Sequence, residues 1–140
     1  MTDPLSQHPS HVQWAHTVLR VFAGAVIMQH GVQKLLGLLG GHAAAVGTLS
    51  WTGGMIETIG GALVIIGLCT RISAFIMSGE MAVAYFKFHA PRGFWPVLNH
   101  GEVPVLLCFI FLYLAATGPG PFSLDWLLAR RRPRHVMSRG

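Results

Sequence analysis

Apolar residues dominate four stretches of the chain, at about 17–36, 51–69, 72–88 and 103–117, with polar or glycine- and proline-rich segments between them. These predict helices, and no strand is predicted. At ~1.5 Å of rise per residue, stretches of roughly 15 to 20 residues make rods of ~22 to 30 Å. That length crosses a thin bilayer, or an ordinary one with snorkelling ends. Only the fourth stretch is free of charge; the first carries Arg20, Gln29, His30, Gln33 and Lys34. A helix with that many polar groups needs neighbours to share its polar face.

The connections are short. Residues 37–50 are rich in Gly and Ala, Thr70-Arg71 is a tight turn, and 90–102 contain Pro91, Gly93, Pro96 and Gly101. Short links make sequential helices antiparallel. The predicted fold is therefore all-α: an integral membrane four-helix antiparallel bundle with a short C-terminal interfacial helix. Gly118-Pro119-Gly120-Pro121 stops the fourth helix, and Ser123 can cap a short helix holding Asp125, Trp126, Leu127, Leu128 and Arg130. The expected organisation is a polar N-terminal segment at 1–16, the bundle at 17–118, and an interfacial helix with a polybasic tail at 119–140. Residues 1–16 lack Lys and Arg, so a cleaved secretory leader is not expected, although Ala43-Ala44-Ala45 has the small residues a signal peptidase accepts. No internal repeat is visible.

Composition supports the membrane reading. Charged residues are 11% of the chain and hydrophobic ones 52%, whereas soluble domains carry roughly 25% charge. The net charge of +5 is a local feature: Arg130, Arg131, Arg132, Arg134 and Arg139 supply it, and the rest balances. Nucleic-acid binding needs cations spread over a folded face, so it is excluded. A terminal cation cluster instead suits the cytoplasmic surface of an anionic membrane. With Arg20 and Arg71 on the same side, the positive-inside rule places both termini in the cytoplasm, and loops 37–50 and 90–102 outside. The expected location is a bacterial inner (plasma) membrane, crossed several times.

That orientation puts the polar residues at comparable depth. His30 and Glu57 lie ~9 Å below the outer ends of their helices, and Glu80 ~12 Å. Gln29, His30, Gln33, Lys34, Glu57, Glu80, Lys87, His100 and Glu102 all fall in the outer half, with His89, Arg92 and Asn99. Gln29, His30, Gln33 and Lys34 share a broad face through i,i+3 and i,i+4 spacing. Glu80 and Lys87 share a stripe at i,i+7 with Ala84 between them, and His89 is expected in a loop. Buried carboxyls must face inward and be paired or protonated. The expected feature is a polar pocket opening outward between the helices.

Plainer readings stand beside each of these. Glu–Lys pairs can fix helix register without chemistry. His30 can be a satisfied core histidine, and Lys34 and Lys87 can snorkel. Gly53-Gly54 and Gly60-Gly61 read as close helix contacts rather than a phosphate loop. Cys69 and Cys108 fall at opposite membrane depths, which excludes a disulfide between them. No metal site and no catalytic residue set is predicted; a haem on His30 with His89 or His100 is conceivable only in principle.

The chain resembles the DoxX family of small four-helix membrane proteins. The carrying residues are Arg20, the segment Gln29-His30-Gly31-Val32-Gln33-Lys34-Leu35, Glu57 before Gly60-Gly61, and Gly67-Leu68-Cys69-Thr70-Arg71. Residues 88–93 and 99–102 and the closing Gly118-Pro119-Gly120-Pro121-Phe122-Ser123-Leu124-Asp125 complete the set. Order and spacing carry the likeness, over about 20–125. The resemblance implies a membrane-embedded partner in redox systems; family members include small subunits of thiosulfate–quinone oxidoreductase and members tied to oxidative-stress complexes. It suggests a quinone- or small-lipophile-interacting subunit with no covalently bound cofactor. His30, Gln33 or Lys34 would donate to a quinone carbonyl, and Glu57 or Glu80 would relay protons. Expected partners are the lipid bilayer, other membrane redox subunits and a second copy of the chain. The alternatives are a noncatalytic structural or assembly subunit, and a small-solute permease.

Overall fold

The structure is a computed structural model that describes residues 4–131. Every regular element in that range is helical. A 3₁₀ turn at Pro4–Gln7 leads into α1 (Ser10–Leu36). There follow α2 (Leu49–Ile66), α3 (Thr70–Ala84), a π-helical turn (Tyr85–His89) and a 3₁₀ turn (Ala90–Arg92). A four-residue helix α4 (Pro96–Asn99), α5 (Glu102–Thr117) and α6 (Leu124–Arg131) complete the chain. The polybasic tail at 132–140, with Arg132, Arg134 and Arg139, lies outside the described residues.

Local chemistry sets the helix ends. Gly37 ends α1 in the left-handed conformation (φ 65°) and returns its N–H to the Gln33 carbonyl. Thr48 caps α2 by accepting from the Trp51 N–H at 3.2 Å. Gly67 closes α2 at φ 71°; a side chain there would strike Ser123 and the Arg20 guanidinium.

Two boundaries differ from the sequence reading. Helix α1 begins at Ser10, so the expected polar segment at 1–16 is largely helical. The cause is tertiary: His16 is 3% exposed, and its Nε2 lies 3.1 Å from the Gly118 carbonyl. The third helix does not run on as an α-helix past Ala84. Its π turn carries His89 into the helical segment, where a loop was expected, and His89 Nδ1 meets the Asn99 carbonyl at 3.1 Å.

Sequential helices run antiparallel. A Cβ on Gly24 would meet the Gly61 carbonyl at 2.9 Å, and one on Gly31 the Thr58 hydroxyl at 2.4 Å. The glycines thus form a seam that lets the α1 and α2 backbones touch, as the close-contact reading expected. Met77 of α3 fills the space beside Gly60. Helix α3 meets α5 through the Ser78 hydroxyl, which donates to the Cys108 carbonyl at 2.9 Å. Ile27, Val64, Met77, Phe111 and Leu114 are the fully buried apolar residues between the helices.

One end of the molecule is laced by charge. Arg20 is 1% exposed; its Nη1 donates to the Val64 and Ile65 carbonyls and its Nη2 to Phe122. Arg71 donates to the carbonyls of Ala115, Ala116 and Thr117. The Asp125 carboxylate accepts the backbone N–H groups of Cys69 and Thr70 at the start of α3. Cations therefore sit on the C-termini of α2 and α5 and an anion on the N-terminus of α3, each complementing a helix dipole.

The outward faces are apolar: Phe22, Phe75, Phe86, Leu106 and Phe109 are exposed, whereas Arg20, Glu57, Thr70 and Asn99 are buried. Among the described helices, α2 alone is long and apolar enough by itself to cross a membrane; α5 is equally apolar but shorter.

Candidate functional site

The site is assembled from three helices. Lys34 stands in the last turn of α1, Glu57 in the middle of α2, and Glu80 near the end of α3. Lys34 Nζ donates to Glu57 Oε1 at 2.6 Å. The Glu57 side chain is 2% exposed and that of Lys34 is 32% exposed. The pair is thus a buried carboxylate reached by a lysine whose stem crosses the α1–α2 seam.

Glu80 sits beside that pair and interacts electrostatically with both members. Gly53 makes room for it: a Cβ there would lie 3.2 Å from Glu80 Oε1 and 3.9 Å from Lys34 Nζ. Two buried oxygens in the cluster, Glu57 Oε2 and Glu80 Oε2, have no hydrogen-bond partner. An ionised carboxyl only accepts, and a protonated one also donates, so the cluster keeps hydrogen-bonding capacity that it does not use.

A cleft of about 250 Å³ opens beside these groups, between α2 and α3. Lys34, Thr52, Gly53 and Glu80 form its polar end, and Leu49, Ile56, Ile76, Val83, Ala84 and Phe88 its apolar walls. Few polar groups converging on apolar walls is the usual make-up of a small-molecule site.

The other expected residues are placed differently. His30 is exposed, although it stays within electrostatic range of Glu57. Gln29 is exposed as well. Gln33 folds over Gly41 and donates to the Leu39 carbonyl at 3.2 Å, so it secures a loop. Lys87 is exposed, within the π turn that follows the helix of Glu80. His100 is exposed at the end of α4, in the left-handed conformation at φ 56°. Glu102 is exposed in the first turn of α5. Of the expected residues, the structure brings Lys34, Glu57 and Glu80 together. Among the described residues, no three His, Cys, Asp or Glu side chains are placed to hold a metal ion.

Sequence reasoning missed the cleft's floor and the lacing at the opposite end. Gly53 carried a signal in its Gly-Gly pair. His16 carried one in its i,i+4 spacing from Arg20, since both are buried on one face of α1. The end that carries Arg20, Arg71 and Asp125 is consequently richer in polar contacts than the one-sided distribution of titratable residues suggested.

The second polar cluster lies under the 90–102 connection. Asn99 is 1% exposed, donates to the Gly93 carbonyl at 2.5 Å and accepts the Gly101 N–H at 2.8 Å. The Tyr85 hydroxyl donates to the Phe94 carbonyl. This cluster satisfies backbone groups of the connection.

Comparison with known proteins identifies the family. The DoxX family model matches residues 15–90. An uncharacterized protein of Haemophilus influenzae is 40% identical over 114 residues, covering 76% of this chain and 85% of its own length. A Bacillus subtilis protein named "Putative oxidoreductase CatD" is 30% identical over 115 residues, covering 77% of this chain and 82% of its own. An uncharacterized membrane protein of Mycobacterium tuberculosis is 28% identical over 131 residues, covering 81% and 80%. No solved structure matches the chain. The family match takes in Arg20, which laces one end, and the cluster of Lys34, Glu57 and Glu80, and the chain belongs to the DoxX family.

Proposed function

We propose that this chain is a bacterial inner-membrane protein whose four long helices form a bundle and which binds a quinone or a similar small lipophile for a membrane redox system. The inside-out polarity supports membrane insertion: the buried set includes Arg20, Glu57 and Asn99, while phenylalanines cover the outside. A water-soluble fold with that distribution would expose apolar patches far larger than monomers tolerate. Both termini lie in the cytoplasm, on the side of the Arg-rich tail. Site-specific labelling of single cysteines placed in residues 37–50 and near the C-terminus tests this. Access from outside to the first alone is the expected result; the reverse overturns the topology.

One observation carries the ligand reading: the Lys34–Glu57 pair and Glu80 meet at the polar end of an apolar-walled cleft. A ring carrying oxygen substituents would set its oxygens against Lys34 and Glu80 and its ring against Ile56 and Ile76. Glu80 would exchange protons with the ligand, and Lys34 would hold its orientation. Electrons would come from or go to partner subunits, and the oxidoreductase in the name of the Bacillus subtilis relative supports a redox setting. The test is binding of a short-chain quinone and its quinol to the purified protein in nanodiscs. Saturable binding of either form that weakens in Lys34→Met and in Ile56→Trp is expected. Binding of neither form overturns the reading.

A second reading has its own support. Lys34 and Glu57 satisfy each other at 2.6 Å, as a pair that only fixes helix register would. The protein would then be a structural or assembly subunit. Mild detergent extraction separates the two: a stable partner complex with no lipophile bound favours this second reading.

A further inference from the structure

We propose that the connection between the π turn and α5 is a lipid-docking surface, resting in the headgroup–acyl boundary of the bilayer with phospholipid as its partner. The inference rests on the membrane reading and adds a depth and a partner for residues 93–98. Helix α3 starts at the end fastened by Asp125, so this surface belongs to the opposite end of the molecule. Its side chains are apolar and turned outward. Phe94, Trp95, Val97 and Leu98 are each between 63% and 71% exposed, and Phe86 and Phe88 are exposed in the π turn before them. Phe94 and Trp95 meet edge to face with ring centroids 5.6 Å apart. An exposed apolar cluster of this kind marks a contact surface, and aromatic rings suit the level of lipid headgroups.

The backbone of the connection finds its hydrogen bonds within the protein. The Gly93 carbonyl accepts from Asn99 Nδ2 and the Phe94 carbonyl from the Tyr85 hydroxyl, while the Asn99 carbonyl lies 3.1 Å from His89 Nδ1. The Trp95 and Pro96 carbonyls accept the N–H groups of Asn99 and Gly101. A loop in water can leave its carbonyls to solvent. Beside hydrocarbon each unfilled carbonyl is costly, so the groups must be filled from inside. Charge points the same way. Between Glu80 and Glu102 the chain holds Lys87 and Arg92, both exposed, and no carboxylate side chain. Those two cations complement the phosphates of lipid headgroups. Phe88 of the π turn is also a wall of the cleft, so lipid docked here would steady the element that bounds it.

The experiment uses the full chain in nanodiscs, with Trp14, Trp51 and Trp126 replaced by Phe so that Trp95 is the sole tryptophan. Its emission is read against phosphatidylcholine brominated high on the acyl chains, and separately against iodide in the water. A drop of about twofold or more with the bromolipid is expected, and iodide should quench far less than it quenches free tryptophan. Phe109→Trp, at an exposed position midway along α5, serves as the control in a chain with all four native tryptophans replaced. Trp95 open to iodide and untouched by bromolipid overturns the inference; if the Phe109→Trp probe still responds to bromolipid, the membrane reading stands. Bromolipid quenching of neither probe overturns both. If the tryptophan replacements fail to fold, Trp95→Phe in the otherwise unaltered chain decides. Its bromolipid-quenched share of emission should fall, and an unchanged share overturns the inference.

Discussion

Lys34 and Glu57 divide one interaction unequally. Glu57 has almost no contact with solvent, while Lys34 stays about a third exposed. Removing the lysine strands a buried charge, which typically costs about 3–5 kcal/mol; water reaching the site favours the lower end. Lys34→Met should therefore lower the unfolding midpoint markedly, and adding Glu57→Met should restore most of the loss. A double-mutant cycle read by thermal unfolding measures the coupling. Arg20 makes a similar case in geometry. Its planar fork spans carbonyls on α2 and on the segment after α5, which one ammonium cannot do. Arg20→Lys is expected to cost about 1.5–3 kcal/mol, read as the shift in unfolding midpoint in detergent. The partnership of Lys34 with Glu57 was legible from depth counting. The exclusion of His30 was not: i,i+4 spacing defines a broad face, and only its Lys34 edge meets α2.

At the scale of elements, the α1–α2 seam is the most sensitive surface. Gly31→Val drives a side chain into Thr58, where an added Cβ already sits 2.4 Å from the hydroxyl. Overpacking of this kind costs about 1–3 kcal/mol and should appear as a lower unfolding midpoint and reduced yield. Gly79 supplies the contrast. Nothing lies within 4 Å of its added Cβ. Gly79→Ala should leave stability unchanged or raise it by up to about 1 kcal/mol through helix propensity, in the same assay. The apolar runs made the long helices legible. Their ends were less so, because His16 extends α1 only through its distant contact with Gly118. The π turn at Tyr85–His89 left no mark in composition.

At the scale of the molecule, buried polar groups share an otherwise apolar interior, and phenylalanines cover the outside. Composition announced the apolar exterior; the interior pairing needed coordinates, because charge pairs reveal their partners only once helices are assembled. The lacing around Arg20, Arg71 and Asp125 is a whole-molecule device. Asp125→Ala removes the carboxylate that caps α3, and a loss of about 1 kcal/mol is expected in thermal unfolding.

That same lacing has a consequence for biogenesis. Arg20 emerges early in synthesis, yet one of its acceptors, Phe122, and the cap donated by Asp125 arrive near the end. On the proposed membrane reading the helices enter the bilayer one after another, but the clasp that fastens them closes last. A nascent chain halted before Phe122 would hold its spans without their fastener, and protease would reach its α2–α3 turn sooner than in the finished protein.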